Sequence, residues 1–114
     1  MPVGAEMAAI TPERIMAQLR LALLGDCGCQ TTLARLANAA QSHGMTGAEI
    51  DTALQGRSFE ARSDAVLAYA CAIKSGEEAA IAVARARAAR LGLTEAEIDG
   101  VGTAARAIIA GARQ

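Results

Sequence analysis

The stretch Gly44-Met45-Thr46-Gly47-Ala48-Glu49-Ile50-Asp51 returns 48 positions later as Gly92-Leu93-Thr94-Glu95-Ala96-Glu97-Ile98-Asp99, with six of the eight residues identical. Each copy reads as a helix end joined at once to a helix start. Gly44 and Gly92 suit the left-handed position just past a helix. Thr46 with Glu49, and Thr94 with Glu97, have capping-box spacing: the hydroxyl accepts from the third amide and the carboxylate accepts from the capping residue's own amide. A chain that stops and restarts a helix in the same way twice predicts two copies of one helical unit.

Sliding the chain by the same 48 positions also aligns Leu19 with Leu67, Ala22 with Ala70, and Gly28 with Gly76. The helix pair 11–42 then corresponds to the pair 59–91, and a capped helix follows each. In the first copy, Thr11 caps, Pro12 fits the first helical position and Glu13 favours the positive end of the dipole. Ile15, Leu19, Ala22 and Leu23 keep one face apolar until Gly25 stops the helix. Asp26 caps a second helix that runs to about Ser42, with Leu33, Leu36, Ala37 and Ala40 inward. A short third helix runs from the Thr46 cap to about Gln55. Ser58 opens the fourth, with Val66, Leu67, Ala70 and Ile73 inward, ending near Lys74 and Gly76. Ser75 and Glu78 have capping-box spacing for a fifth helix to about Leu91. The sixth starts at Thr94 and places Ile98, Val101, Ala105 and Ile108 on one stripe. No segment alternates with a strand's period of two. The expected fold is all-α: a six-helix bundle with an internal two-fold repeat, as one domain over 11–114 behind a loose arm, 1–10.

Of the 114 residues 29 are alanine, and the aromatics are only Phe59 and Tyr69. Alanine favours helix but buries little area, so a lone subunit's core would be thin and association is expected. The net charge of −1 and the mixed signs give no basic run for nucleic acid. Arg85, Arg87 and Arg90 read as a solvated helix face. No apolar run approaches the ~18 residues of a membrane span. Met1-Pro2-Val3-Gly4-Ala5-Glu6 lacks the basic and apolar regions of a signal peptide, so the expectation is a cytoplasmic protein with reduced thiols.

Cys27 and Cys29, in Gly25-Asp26-Cys27-Gly28-Cys29-Gln30, are the residues with reactive character. If Asp26 caps, both sit in a first turn, where unsatisfied amides favour a thiolate. The Asp26 charge acts in the opposite sense. Residues two apart on a regular helix diverge, because successive positions turn by ~100°. A Cys27–Cys29 bridge therefore requires irregular backbone, which Gly28 could supply. The open readings are a redox pair, packing residues, or part of a metal site, for which two thiolates fall short of four ligands. Cys71, among Ala70, Ala72 and Ile73, reads as a small buried hydrophobe. His43 suits a helix C-terminus and lies about 20 Å along a straight helix from Cys29. Glu13 lies at the opposite end of its helix from the cysteines and reads as a surface residue.

Arg20-Leu21-Ala22-Leu23-Leu24-Gly25-Asp26-Cys27-Gly28-Cys29 resembles the helix-then-cysteine segment of the alkyl hydroperoxidase D-like, or carboxymuconolactone decarboxylase, superfamily. Ala34-Arg35-Leu36-Ala37 and Gly44 through Ile50 continue the likeness. Ser58 through Ala70 is similar to that family's fourth helix, and Gly92 through Ile98 to its closing turn. The resemblance covers about residues 11–110. It implies an all-helical homo-oligomer, a trimer or hexamer. It also implies a thiol relay in which a CxxC pair is served by a histidine four residues after the second cysteine and a glutamate on the preceding helix.

The chain departs from that pattern. Its pair is Cys27-Gly28-Cys29, one residue short, or else Asp26 stands where the first cysteine would be. Leu33 occupies the histidine position, and Glu13 is out of register by a residue or two. The resemblance implies a weak or altered thiol–disulfide oxidoreductase or peroxidase-like antioxidant protein. Cys29 would attack and Cys27 resolve, or the reverse, with a protein or small-molecule disulfide reductant as partner and no cofactor. The rival readings are a non-enzymatic oligomeric module that has lost the relay, and a decarboxylase-type lyase of the same superfamily.

Overall fold

The computed structural model describes residues 12–27 and 29–112, without the side chains of Pro12 and Cys27. The arm 1–10, the Thr11 cap and Gly28 lie outside the described residues. Those described form α1 (Pro12–Leu24), α2 (Gln30–Ser42), α3 (Gly47–Leu54), α4 (Ala61–Ser75), α5 (Glu78–Arg90) and α6 (Glu95–Ala112), with one 3₁₀ turn, Gly25–Cys27, after α1. No strand occurs among them.

Helices α1 and α4 form the centre. α1 packs on α2, α3, α4 and α6, while α4 also packs on α5 and α6. Leu19, Leu21 and Leu23 of α1 and Leu67 of α4 are almost wholly enclosed. α4 buries residues around much of its circumference, from Ser63 through Leu67 and at Tyr69, Ala70 and Ala72. A helix enclosed in this way shows little one-sided apolar stripe. The expected inward faces are otherwise present: Ala40, Ile98 and Ala105 are buried, and Leu36, Val101 and Ile108 are half-buried against the core, while Leu33 is half-buried without joining it.

Both repeated joints form as their residues predict. Gly44 has φ +88° and Gly92 φ +98°. Across them, the Met45 amide donates back to Ala40 O and the Leu93 amide to Ala88 O, each at 3.1 Å, closing orphan carbonyls of α2 and α5. After them, the Glu49 amide donates to Thr46 Oγ1 at 3.2 Å and the Thr46 amide to Glu49 Oε1 at 2.8 Å. The counterparts at Thr94 and Glu97 are 3.1 and 2.8 Å. An ion pair recurs at the same offset: Arg14–Glu49 at 2.5 Å and Arg62–Glu97 at 3.7 Å. Thr46→Ala and Thr94→Ala are each expected to cost about 1 kcal/mol in urea unfolding, the usual value of a hydroxyl cap. If one proved silent and the other costly, the two joints would not be energetically equivalent.

Three expected helix starts differ. α2 is capped by Cys29, in extended backbone, and not by Asp26. Asp26 lies in the 3₁₀ turn, where both its carboxylate oxygens accept from Lys74 Nζ at 2.9 Å. α4 is capped by Glu60, whose carboxylate accepts from the Ser63 amide at 2.7 Å. Ser58 instead accepts from the Glu60 amide at 3.2 Å. α5 has Glu77 at its cap position without a side-chain hydrogen bond. Ser75 is turned back, donating to Ala72 O at 2.6 Å and accepting from the Glu77 amide at 3.2 Å.

The arginines of α5 are not a solvated face. Arg85 donates to Tyr69 Oη at 3.1 Å, to Asp99 at 2.9 Å and to Glu95. Arg87 donates to Asp64 Oδ2 at 2.7 Å. Of the three, only Arg90 is exposed. Among the described residues no helix is long and apolar enough to cross a membrane.

Candidate functional site

The segment that leads into the cysteines is held by contacts from α4. Lys74 Nζ, at the end of α4, donates to Leu23 O at 2.6 Å and grips Asp26 in the same reach. The lysine thus satisfies a terminal carbonyl of α1 and fixes the 3₁₀ turn against α4. At Gly25 a Cβ would lie 2.5 Å from Leu54 Cδ2, so a larger residue there would require the Leu54 side chain of α3 to move. The Asp26 carboxyl is held below the usual range, first by the Lys74 hydrogen bond and then by its charge. Its negative charge is therefore matched locally, which reduces its opposition to a nearby thiolate.

Cys27 closes the 3₁₀ turn, and Cys29 follows in extended backbone at φ −91° and ψ 111°. The two are therefore not on one regular helix. The Cys27 side chain lies outside the described residues. Cys29 is exposed. Its thiol closes no side-chain cap hydrogen bond by geometry. Nonetheless the Thr32 hydroxyl and amide face it, with the Thr31 amide and the Arg35 charge adding to them, and together they hold the thiol below its ordinary range.

Cys29 opens onto a cleft of about 590 Å³. Its walls come from three helices. α1 supplies Met16, Arg20 and Leu24, and α2 supplies Thr32 and Arg35. Ala104 and Ile108 lead the wall contributed by α6. The thiol thus feels the charge of Arg35, and Arg20 adds a second guanidinium to the lining of a largely apolar cleft. Such a cleft admits a small molecule with an apolar body and an oxygen on which negative charge can develop.

The other sequence candidates are elsewhere. Leu33 is half-buried, one turn after Cys29, and does not line the cleft. Glu13 is exposed and His43 ends α2, also exposed; both line a shallow hollow with Met16 and Arg20. Cys71 is half-buried rather than enclosed, and burial raises its thiol, with Lys74 opposing. No group of three or more His, Cys, Asp or Glu residues among those described could hold a metal ion. Arg20, Thr32 and Arg35 were not singled out from the sequence. The signal for the last two was available: positions 29, 32 and 35 recur at three-residue intervals along α2.

Compared with known protein families, curated proteins and solved structures, the chain matches none.

Proposed function

We propose that this protein is a thiol–disulfide oxidoreductase or peroxidase of the alkyl hydroperoxidase D-like kind, with a two-fold repeated bundle and altered relay chemistry. The observation that carries the reading is the placement of Cys29: a thiol held below its ordinary range at the rim of a cleft that also holds Arg20 and Arg35. The thiolate attacks the terminal oxygen of a hydroperoxide. The S–O bond forms, the O–O bond breaks, and the departing alkoxide takes a proton to leave as an alcohol. The arginines stabilise the developing oxyanion. Cys27 then displaces water from the sulfenic acid to give the disulfide, and a dithiol reductant restores both thiols. The roles of the two cysteines reverse if Cys27 is the attacking group. The working form is a homo-oligomer, a trimer or hexamer, in the cytoplasm.

Leu33 supports the second reading, a module without catalysis. A leucine cannot move a proton, and loss of a general base costs about 10²–10⁴-fold in rate. The two readings separate on the pH dependence of alkylation. For the enzyme, Cys29 is alkylated with a midpoint below the ordinary thiol range and below that of Cys71. A Cys29 midpoint at or above the ordinary range favours the module. Leu33→His should then place an imidazole one turn after Cys29, lower its midpoint further and speed its reaction with a disulfide probe. A curve that does not move would show that position 33 does not serve the thiol.

A further inference from the structure

A second cleft, of about 520 Å³, lies on the side of α1 that faces α3 and the start of α4. It is lined by Arg14, Gln18, Glu49, Ser58, Phe59, Glu60 and Ser63. Gln18 is 6 % exposed, and its Oε1 is buried with no hydrogen-bond partner. A buried acceptor left without a donor is unfavourable, so this oxygen gains from any donor brought to it. Gln18 lines the cleft, and the terminal torsion of a glutamine is broad, so its oxygen can turn toward a donor that enters.

The rest of the lining states what would meet that oxygen. Arg14 is engaged by Glu49 at 2.5 Å, so its charge is already compensated. Glu60 adds a second carboxylate, whose capping bond to the Ser63 amide leaves further lone pairs open. Glu49, through the Thr46 amide, is held below the usual carboxylate range. Burial opposes the same shift at Glu60, but the Ser63 amide and hydroxyl outweigh it. Both are therefore anionic at neutral pH. Phe59, 72 % exposed, adds an apolar ring to the lining.

We propose that this cleft binds a small primary amine as its ammonium ion. The ammonium has three donors and no acceptor, which suits the Gln18 oxygen and the Glu60 carboxylate, the one not already paired with Arg14. The Phe59 ring covers the cation or its methylene chain. The volume lies within the range of small-molecule clefts. The site is distinct from the Cys29 cleft and does not depend on thiol chemistry.

The test is an NMR titration of the full chain with n-butylammonium chloride, sodium butyrate and 1-butanol at neutral pH, with melting followed in parallel. n-Butylammonium should shift the Gln18 side-chain amide and the 58–63 backbone amides saturably and raise the melting temperature. Butyrate and butanol should do neither. Gln18→Met should weaken n-butylammonium about ten-fold, by loss of a charge-assisted bond. The same variant should melt about 4–8 °C higher in the absence of amine, because the orphaned acceptor is gone. Phe59→Ala, a surface change, should weaken binding about three-fold. Equal shifts from butanol or butyrate, or none from n-butylammonium at tens of millimolar, would overturn the proposal. So would a lower melting temperature for Gln18→Met, which would show that the carboxamide is already satisfied.

Discussion

Asp64→Ala is expected to destabilise the protein by about 3 kcal/mol in urea unfolding. The Asp64 side chain is 8 % exposed and ties three segments together. It accepts from Arg57 Nε at 3.1 Å, from the Ser58 amide at 2.8 Å and from Arg87 Nη2 at 2.7 Å. Arg57 is largely exposed and returns to water at little cost, so the loss falls mainly on the Ser58 amide and Arg87. The variant also carries a pH signature. Burial tends to raise the Asp64 carboxyl, but the bonds from Arg87, Ser58 and Arg57 outweigh it and hold the carboxyl below the usual value. A carboxyl depressed in the folded state contributes stability that is full above its unfolded pKa, about 4, and is lost as pH falls through the folded value. Asp64→Ala should therefore lose less stability than the parent on acidification below about pH 4. An unchanged acid slope would place the acid sensitivity elsewhere, with Glu49 and Glu60 the next groups to test.

Val101→Asp, or Ile109→Asp, should dissociate the proposed homo-oligomer or unfold the chain. Both positions are half-buried on α6, beside Ile108. The core around them is rich in alanine: Ala17, Ala40, Ala53, Ala65, Ala70, Ala84, Ala88 and Ala105 are all buried. Apolar burial contributes about 25 cal/mol per Å², and alanine supplies little area against the entropy of ordering the chain. Association through the remaining apolar surface of α6 would supply more, and a symmetric closed ring is the economical arrangement. A carboxylate placed in that interface without a partner costs about 3–5 kcal/mol. Sedimentation of the unmodified chain as a compact monomer, with a melting transition independent of concentration, would contradict this.

The two joints were legible because their bonds span three to five residues, so a dozen consecutive letters of sequence, 40–51 or 88–99, contain the partners. The α2 start was not. Asp26 has the right chemistry for a cap, but Lys74, 48 residues away, competes for its carboxylate and draws it into the 3₁₀ turn. At α4, Ser58 and Glu60 are both competent. The serine hydroxyl takes the Glu60 amide, which leaves the glutamate to cap. The arginines of α5 read as solvated because their partners, Asp64 and Tyr69 on α4 and Asp99 on α6, are brought near only by packing. The site divides in the same way. The reactive character of Cys29 and its neighbours on α2 follows from local spacing. The α6 wall at Ala104 and Ile108 depends on how the last helix lies across α1, which no local pattern encodes.

The central claim is that Cys29 and Cys27 form one redox couple. Intact-mass measurement after mild hydroperoxide treatment, followed by thiol alkylation under denaturing conditions, tests it most directly. The account predicts a loss of two hydrogens within a single chain, with Cys71 still alkylated, and no such loss in Cys29→Ser. Full alkylation of both Cys27 and Cys29 after the oxidant would contradict it.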